Sequence, residues 1–141
     1  MISGTGPTYD YTWETRIDKF DLVWEVIFEE GVTKIGNNFF NMQDSWIRKV
    51  TLPEGLTSIG ERAFENSEYL ESINIPDSVK KIGPYAFFCC ESLKTLHLPE
   101  SLTVVQDSSF YGLESIKSLE IPDSVTTIKQ DGFKGCSKRK T

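Results

Sequence analysis

The 141-residue chain has little of what catalysis and metal binding draw on: one histidine, three cysteines, and no glycine-rich phosphate loop or nucleophile elbow. Any serine or cysteine nucleophile would have to share His97 as its base. Cys89, Cys90 and Cys136 lack the paired spacings of a zinc site. No apolar run is long enough to span a bilayer. The opening MISGTGPTYDYTWETR has neither a basic start nor an apolar core, so no secretory signal is read in it. Basic residues are outnumbered 15 to 21, with a net charge of -6 and a pI near 4.8. That balance disfavours nucleic acid, because phosphate binding needs a basic face, and the only basic cluster is the tail SKRKT. These absences leave a noncatalytic domain with no cofactor and no membrane insertion as the expectation.

What the chain has in quantity is repetition. Prolines recur at an interval of 23 residues, at Pro53, Pro76, Pro99 and Pro122. Val50, Ile73, Leu96 and Leu119 lie three positions before them, and Leu52, Ile75, Leu98 and Ile121 directly before them. After them come Leu56, Val79, Leu102 and Val125, then Ile59, Ile82, Val105 and Ile128. Phe64, Phe87, Phe110 and Phe133 form a further column beside the small residues Ala63, Ala86, Ser109 and Gly132, and Ile47, Leu70, Leu93 and Ile116 open the next unit. A unit this short cannot bury its apolar side alone, so the period predicts a solenoid of stacked units.

The organisation follows. Residues 1–22 form an N-terminal capping segment, in which Trp13, Phe20 and Leu22 are expected to cover the first edge and to fold over Trp24 and Ile27. The repeat domain is 23–141: one irregular unit, 23–46, then four regular units at 50–72, 73–95, 96–118 and 119–141. The irregular unit carries its apolar columns at Val23, Val26, Phe28, Val32, Ile35 and Phe40, displaced by one residue, with Glu29 in place of proline. This makes about five stacked units of 23–24 residues around a phenylalanine spine.

Within LESINIPDSVKKIGPYAFFCC, the stretch before Pro76 alternates as a short strand, Ile73 and Ile75 inward and Ser72 and Asn74 outward. Pro76 has no N–H to give the ladder, and the chain turns through Asp77 and Ser78. A second short extended segment ends at Ile82, Gly83 permits a bend, and a short helical turn is expected to carry Ala86 and Phe87 inward. Neighbouring units should stack at about 5 Å, the spacing of paired parallel strands.

LESINIPDSVKKIGPYAFFCC and IKSLEIPDSVTTIKQDGFKGC closely resemble the BspA-like class of bacterial leucine-rich repeats, and the resemblance covers about Val23 to Cys136. The departures are local: Gln106 and Lys129 stand where glycine is usual, and Asn66-Ser67 and Gly112-Leu113 replace the pair of small residue and cysteine. The resemblance implies a leucine-rich-repeat solenoid of short parallel strands, turns and short helical turns. It also implies a noncatalytic protein-binding module of the kind found on bacterial surface proteins that attach to host or other cell-surface proteins. An alternative stays open: a small intracellular adaptor or inhibitor that engages a basic protein through its acidic surface. The compartment follows the same division, cell surface or secreted by resemblance, cytoplasmic if the chain is complete.

Two surfaces are candidates for a protein ligand. The outward strand columns are Lys49, Ser72, Thr95 and Ser118, and Thr51, Asn74, His97 and Glu120, a mixed polar face that is either a binding surface or an ordinary solvated sheet. Tyr85, Phe88 and Tyr111 form a secondary aromatic patch, either interface anchors or a peripheral core folded over neighbouring turns. The acidic column Glu54, Asp77, Glu100 and Asp123 follows the prolines, where turn chemistry alone accounts for it. Cys90 and Cys136 share a column two units apart, about 10 Å, too far for a disulfide, so free thiols are expected. No apolar cap follows Cys136. The basic tail solvates that edge, or the edge joins a second chain as a homodimer, or the array continues.

Overall fold

A computed structural model of the chain describes residues 6–7, 24–40 and 46–137. The strands are short and all parallel: β1 (Gly6–Pro7), β2 (Glu25–Ile27), β3 (Val32–Ile35), β4 (Lys49–Thr51), β5 (Ser58–Ile59), β6 (Ser72–Asn74), β7 (Lys81–Ile82), β8 (Val104–Val105) and β9 (Thr127–Ile128). They sort into two rows. The first is β2-β4-β6; the second is β1-β3-β5-β7 followed by a separate pair, β8-β9. Register is the repeat itself, with Val26 opposite Val50 and Val50 opposite Ile73. The chain is therefore a parallel β-solenoid.

Residue type sets where the first row is regular. Its inward positions are the β-branched Val26, Val50 and Ile73 inside named strands, whereas Leu96 and Leu119 occupy the same column outside any strand. Branching at Cβ favours the extended pleat, and leucine lacks it. Beyond β6 the row continues as isolated bridge positions, Thr95 opposite Ser72 and then Glu120.

After each strand the prolyl carbonyl accepts from the amide three residues on, Val79 to Pro76 at 3.0 Å and Leu102 to Pro99 at 2.9 Å. Glu29 makes the same turn with Val32, at 3.4 Å. Proline thus sharpens this turn without being required for it.

The segment carrying the phenylalanines differs from expectation. Among the described residues it forms turns, not helix. Alternate amides reach the next unit, Tyr85 N to Asp107 O at 3.0 Å, Phe87 N to Ser109 O at 2.9 Å and Cys89 N to Tyr111 O at 2.9 Å, instead of closing a helical ladder. Two residues four apart in each segment adopt positive φ, Arg62 and Asn66, Tyr85 and Cys89, Ser108 and Gly112, Asp131 and Gly135. Left-handed residues at that spacing interrupt an α-helix before one turn is complete.

Inside, Phe40, Phe64, Phe87, Phe110 and Phe133 form one continuous stack, with centroid separations of 5.3, 5.1, 5.6 and 5.3 Å in order. Phe28 and Phe39 pack against its first member. The column Ile47, Leu70, Leu93 and Ile116 is buried beside it. In the last unit burial fades: Ile128 is 48% exposed where Ile59, Ile82 and Val105 are at most 2%. Among the described residues no further unit covers Ile128, whereas Phe133 and Leu119 of the same unit stay buried. At the opposite end β1 pairs with β3, Gly6 opposite Val32. Trp13, Phe20, Leu22 and Val23, expected in the cap and the first unit, lie outside the described residues, as does the tail from 138 on.

Candidate functional site

Period-two alternation puts every second side chain of the first row outside, and parallel register lines them up across units. Lys49 stands opposite Ser72 and Thr51 opposite Asn74, so the two expected outward columns are real rows on one face. Ser72, Asn74, Thr95, His97, Ser118 and Glu120 are all exposed and come together along a groove of about 410 Å³, whose floor includes Ile73, Leu96 and Leu98. Lys49 and Thr51 continue the face one unit earlier, outside the groove lining; Lys49 pairs with Glu25 at 2.8 Å and Thr51 is half-buried.

Charge is graded along the strand direction. On the side where the strands begin, Glu71 lies between Arg48, 3.2 Å away, and Lys94, with which it also pairs. Arg48 in turn rests over the Trp24 ring at 5.6 Å. The hydrogen bond and charge of Lys94 hold the Glu71 carboxyl below its usual range. On the other side, Asp77 Oδ1 lies 3.1 Å from His97 Nε2 and accepts the Glu100 amide at 3.1 Å, and these contacts, the histidine's first, lower its pKa. Part of the acidic column is thus turn chemistry, Asp77 holding the start of the next turn. Glu54, Glu100, Glu120 and Asp123 make no ion pair among the described residues.

The second aromatic surface is a ladder of its own. Phe88 stacks on Tyr111 with centroids 4.9 Å apart, Tyr85 tilts against Phe88 at 5.7 Å, and Arg62 covers the Tyr85 ring at 4.5 Å. All three aromatics are half-buried, so they pack over neighbouring turns. A pair outside the expected candidates is more open: Trp46 and Tyr69 stack at 4.6 Å while remaining 46% and 37% exposed. Both sit directly before the buried Ile47 and Leu70, and that shared offset is the sequence signal that would have paired them.

All three cysteines are free thiols. Cys90 is fully buried and donates to Phe64 O at 3.1 Å, as Cys136 does to Phe110 O at 3.0 Å, while Ser67 reaches Phe40 O at 3.4 Å from the same column. Three of the four members of this column thus donate to a buried carbonyl, a structural role, while the fourth, Leu113, carries no donor and is buried as part of the core. Burial pushes the Cys90 thiol far up, and burial together with the acidic neighbours Glu91 and Glu114 raises Cys89. His97 has Asp77 as its partner, not a thiol. Among the described residues no three His, Cys, Asp or Glu side chains are grouped to hold a metal, and no helix is long and apolar enough to cross a membrane.

This architecture has known counterparts. The chain is similar to a leucine-rich repeat protein of Eubacterium ventriosum, with 36% identity and a TM-score of 0.76, over 89% of this chain and 34% of that one. It is also similar to a leucine-rich repeat protein of T. pallidum, with 27% identity and a TM-score of 0.75, over 80% of this chain and 55% of that one. A leucine-rich repeat protein of Bacteroides ovatus shares the fold, with 24% identity and a TM-score of 0.60. The chain thus spans about half, or less, of the length of the solved proteins it resembles. No curated protein matches it. Residues 19–140 match the model of the BspA-type leucine-rich repeat region in six copies, and the chain belongs to that family.

Proposed function

We propose that the chain is a noncatalytic protein-binding module that uses the polar face of its first strand row, displayed at a bacterial cell surface for attachment to host or other cell-surface proteins. The observation that carries this reading is the groove formed by Ser72, Asn74, Thr95, His97, Ser118 and Glu120, exposed and dissimilar side chains held in register by an apolar interior. A buried stack positions the face, and varied side chains on it discriminate partners. Membership of the BspA-type family supports surface display.

The test is partner capture from host surface proteins by wild type and by a variant with His97→Asp, Glu120→Lys and Lys49→Glu. The variant should lose the partners that wild type retains. Capture that is unchanged rejects this face.

A second reading, an adaptor or inhibitor for a basic protein, is favoured by the acids Glu54, Glu100, Glu120 and Asp123, which make no ion pair among the described residues. Neutralising Glu54, Glu100 and Asp123 should then abolish capture while His97→Asp leaves it intact. The strand edge at β9, with Ile128 exposed, is the surface through which a homodimer would form. Light scattering of concentrated protein that reports a monomer excludes that contact.

A further inference from the structure

The stack is not bonded equally at every junction. On the second strand row Lys80 N donates to Thr57 O at 2.9 Å and Gly83 N to Ile59 O at 2.9 Å; farther along, Thr126 N donates to Thr103 O at 2.9 Å and Lys129 N to Val105 O at 2.9 Å. Between these places the equivalent donors, Thr103 N and Gln106 N, make no bond to Lys80 O or Ile82 O. β7 and β8 accordingly fall in separate sheets. The serines repeat the pattern. Ser78 Oγ reaches Leu56 O at 2.6 Å and Ser124 Oγ reaches Leu102 O at 2.8 Å, whereas Ser101, midway between them, makes no such bond to Val79. On the first row the same junction stays closed, through the Ser72–Thr95 bridge and Lys94 N to Glu71 O at 3.1 Å, much as the next one does through Lys117 N to Lys94 O at 3.2 Å. Phe87 and Phe110, which span it inside, have the widest separation in the spine, 5.6 Å.

The glycine column supplies a cause. A Cβ at Gly83 would lie 2.6 Å from Glu61 N and 2.8 Å from Gly60 C, so the close approach of these two units requires glycine. Gln106 is the first residue in that column to carry a Cβ, and its unit cannot come as near to Gly83 as Gly83 comes to Gly60. At the next junction both units carry a Cβ in this column, Gln106 and Lys129, and the bonds are present, so it is the step from glycine to a side chain that coincides with their loss. The turn side of the junction stays closed, through Tyr85 N to Asp107 O, Phe87 N to Ser109 O and the Phe88–Tyr111 stack. On the groove face the junction is also tied by exposed side chains, Glu71 to Lys94 and Asp77 to His97.

We propose that the solenoid is hinged between the units carrying Gly83 and Gln106, opening on its second strand row about the first row and the aromatic turn side. Ser72 and Asn74 stand on one side of this hinge and Thr95 and His97 on the other, so its opening tilts the two halves of the groove. That consequence rests on the groove being the binding surface; the hinge itself does not.

Amide hydrogen exchange followed by NMR tests the hinge apart from any ligand. In wild type the amides of Thr103 and Gln106 should exchange roughly tenfold or more faster than those of Lys80, Gly83, Thr126 and Lys129, which are bonded. Gln106→Gly should slow Thr103 and residue 106 toward their neighbours, whereas Gln106→Ala, which keeps the Cβ, should leave them fast. Equal protection of Thr103 and Lys80 in wild type overturns the proposal, as does a Gln106→Gly protein whose Thr103 exchanges as before. Either failure leaves the capture experiment and its variant untouched, so the two readings stand or fall separately.

Discussion

Phe64 and Phe87 lie face to face, their centroids 5.1 Å apart and their planes 6° from parallel. One strand spacing separates the units that carry them, so each ring fills the space between its neighbours with no gap for water.

Truncating a ring in mid-stack should therefore leave a cavity lined by two other rings. Phe87→Ala should destabilise the domain by about 3–5 kcal/mol. Phe133→Ala should fall at or below the lower end, since among the described residues Phe133 stacks on Phe110 alone. Urea unfolding of both variants decides the matter; equal losses would show that position in the stack is irrelevant.

The glycines separate by surroundings as sharply as the rings do. Gly83→Ala places a Cβ 2.6 Å from the Glu61 amide nitrogen and should cost about 1–3 kcal/mol through a forced backbone shift. Gly55, by contrast, has nothing within 4 Å of its would-be Cβ and no left-handed φ, and Gly55→Ala should be neutral or gain up to about 1 kcal/mol by restricting the unfolded chain. Thermal melts of the pair provide the check, and a Gly83→Ala protein as stable as wild type would remove the close approach of units as an explanation.

How much of this was readable in the residues depends on what each feature rests on. The columns were visible because burial selects residue type, and Leu70, Ile73, Ile75, Val79, Ile82 and Phe87 all lie where period and stacking put them. The polar face followed from alternation alone. The turn around Phe87 was not legible as a non-helix, because Arg62, Tyr85 and Cys89 hold left-handed conformations without being glycine or asparagine. Tertiary bonds to the next unit override their local preference. Gln106 was visible as a break in the glycine column, yet only the missing bonds to Lys80 and Ile82 show what the break does.

Thiol reactivity should follow burial and charge. Cys90, enclosed and donating to Phe64 O, should resist a thiol reagent at neutral pH until the protein unfolds. Cys89 should react more slowly than a free thiol of ordinary pKa, because burial and the neighbouring glutamates disfavour its thiolate. Cys90→Ser, which keeps a donor as Ser67 does, should retain more stability than Cys90→Ala, which leaves Phe64 O without its side-chain donor. Mass spectrometry of labelled native protein gives the order, and rapid modification of Cys90 in the folded state would contradict it.

The contact between Asp77 and His97 sets a pH dependence whose sign is fixed. The Asp77 carboxyl is held below its ordinary value of 3.8 by the His97 hydrogen bond first and the Glu100 amide second. A group whose pKa is lower in the folded state stabilises that state above its unfolded pKa, and the contribution disappears as pH falls through the lower, folded value. Asp77 is solvent-exposed, so the effect on global stability is small, and the carboxyl resonance is the place to look for it. His97→Ala should move the Asp77 midpoint upward without restoring 3.8, since the Glu100 amide still donates. A carbon-detected NMR titration reads this directly. An Asp77 midpoint that is identical with and without the imidazole would show that the histidine does not hold the acidic rim, and that its place in the groove depends on neighbours other than Asp77.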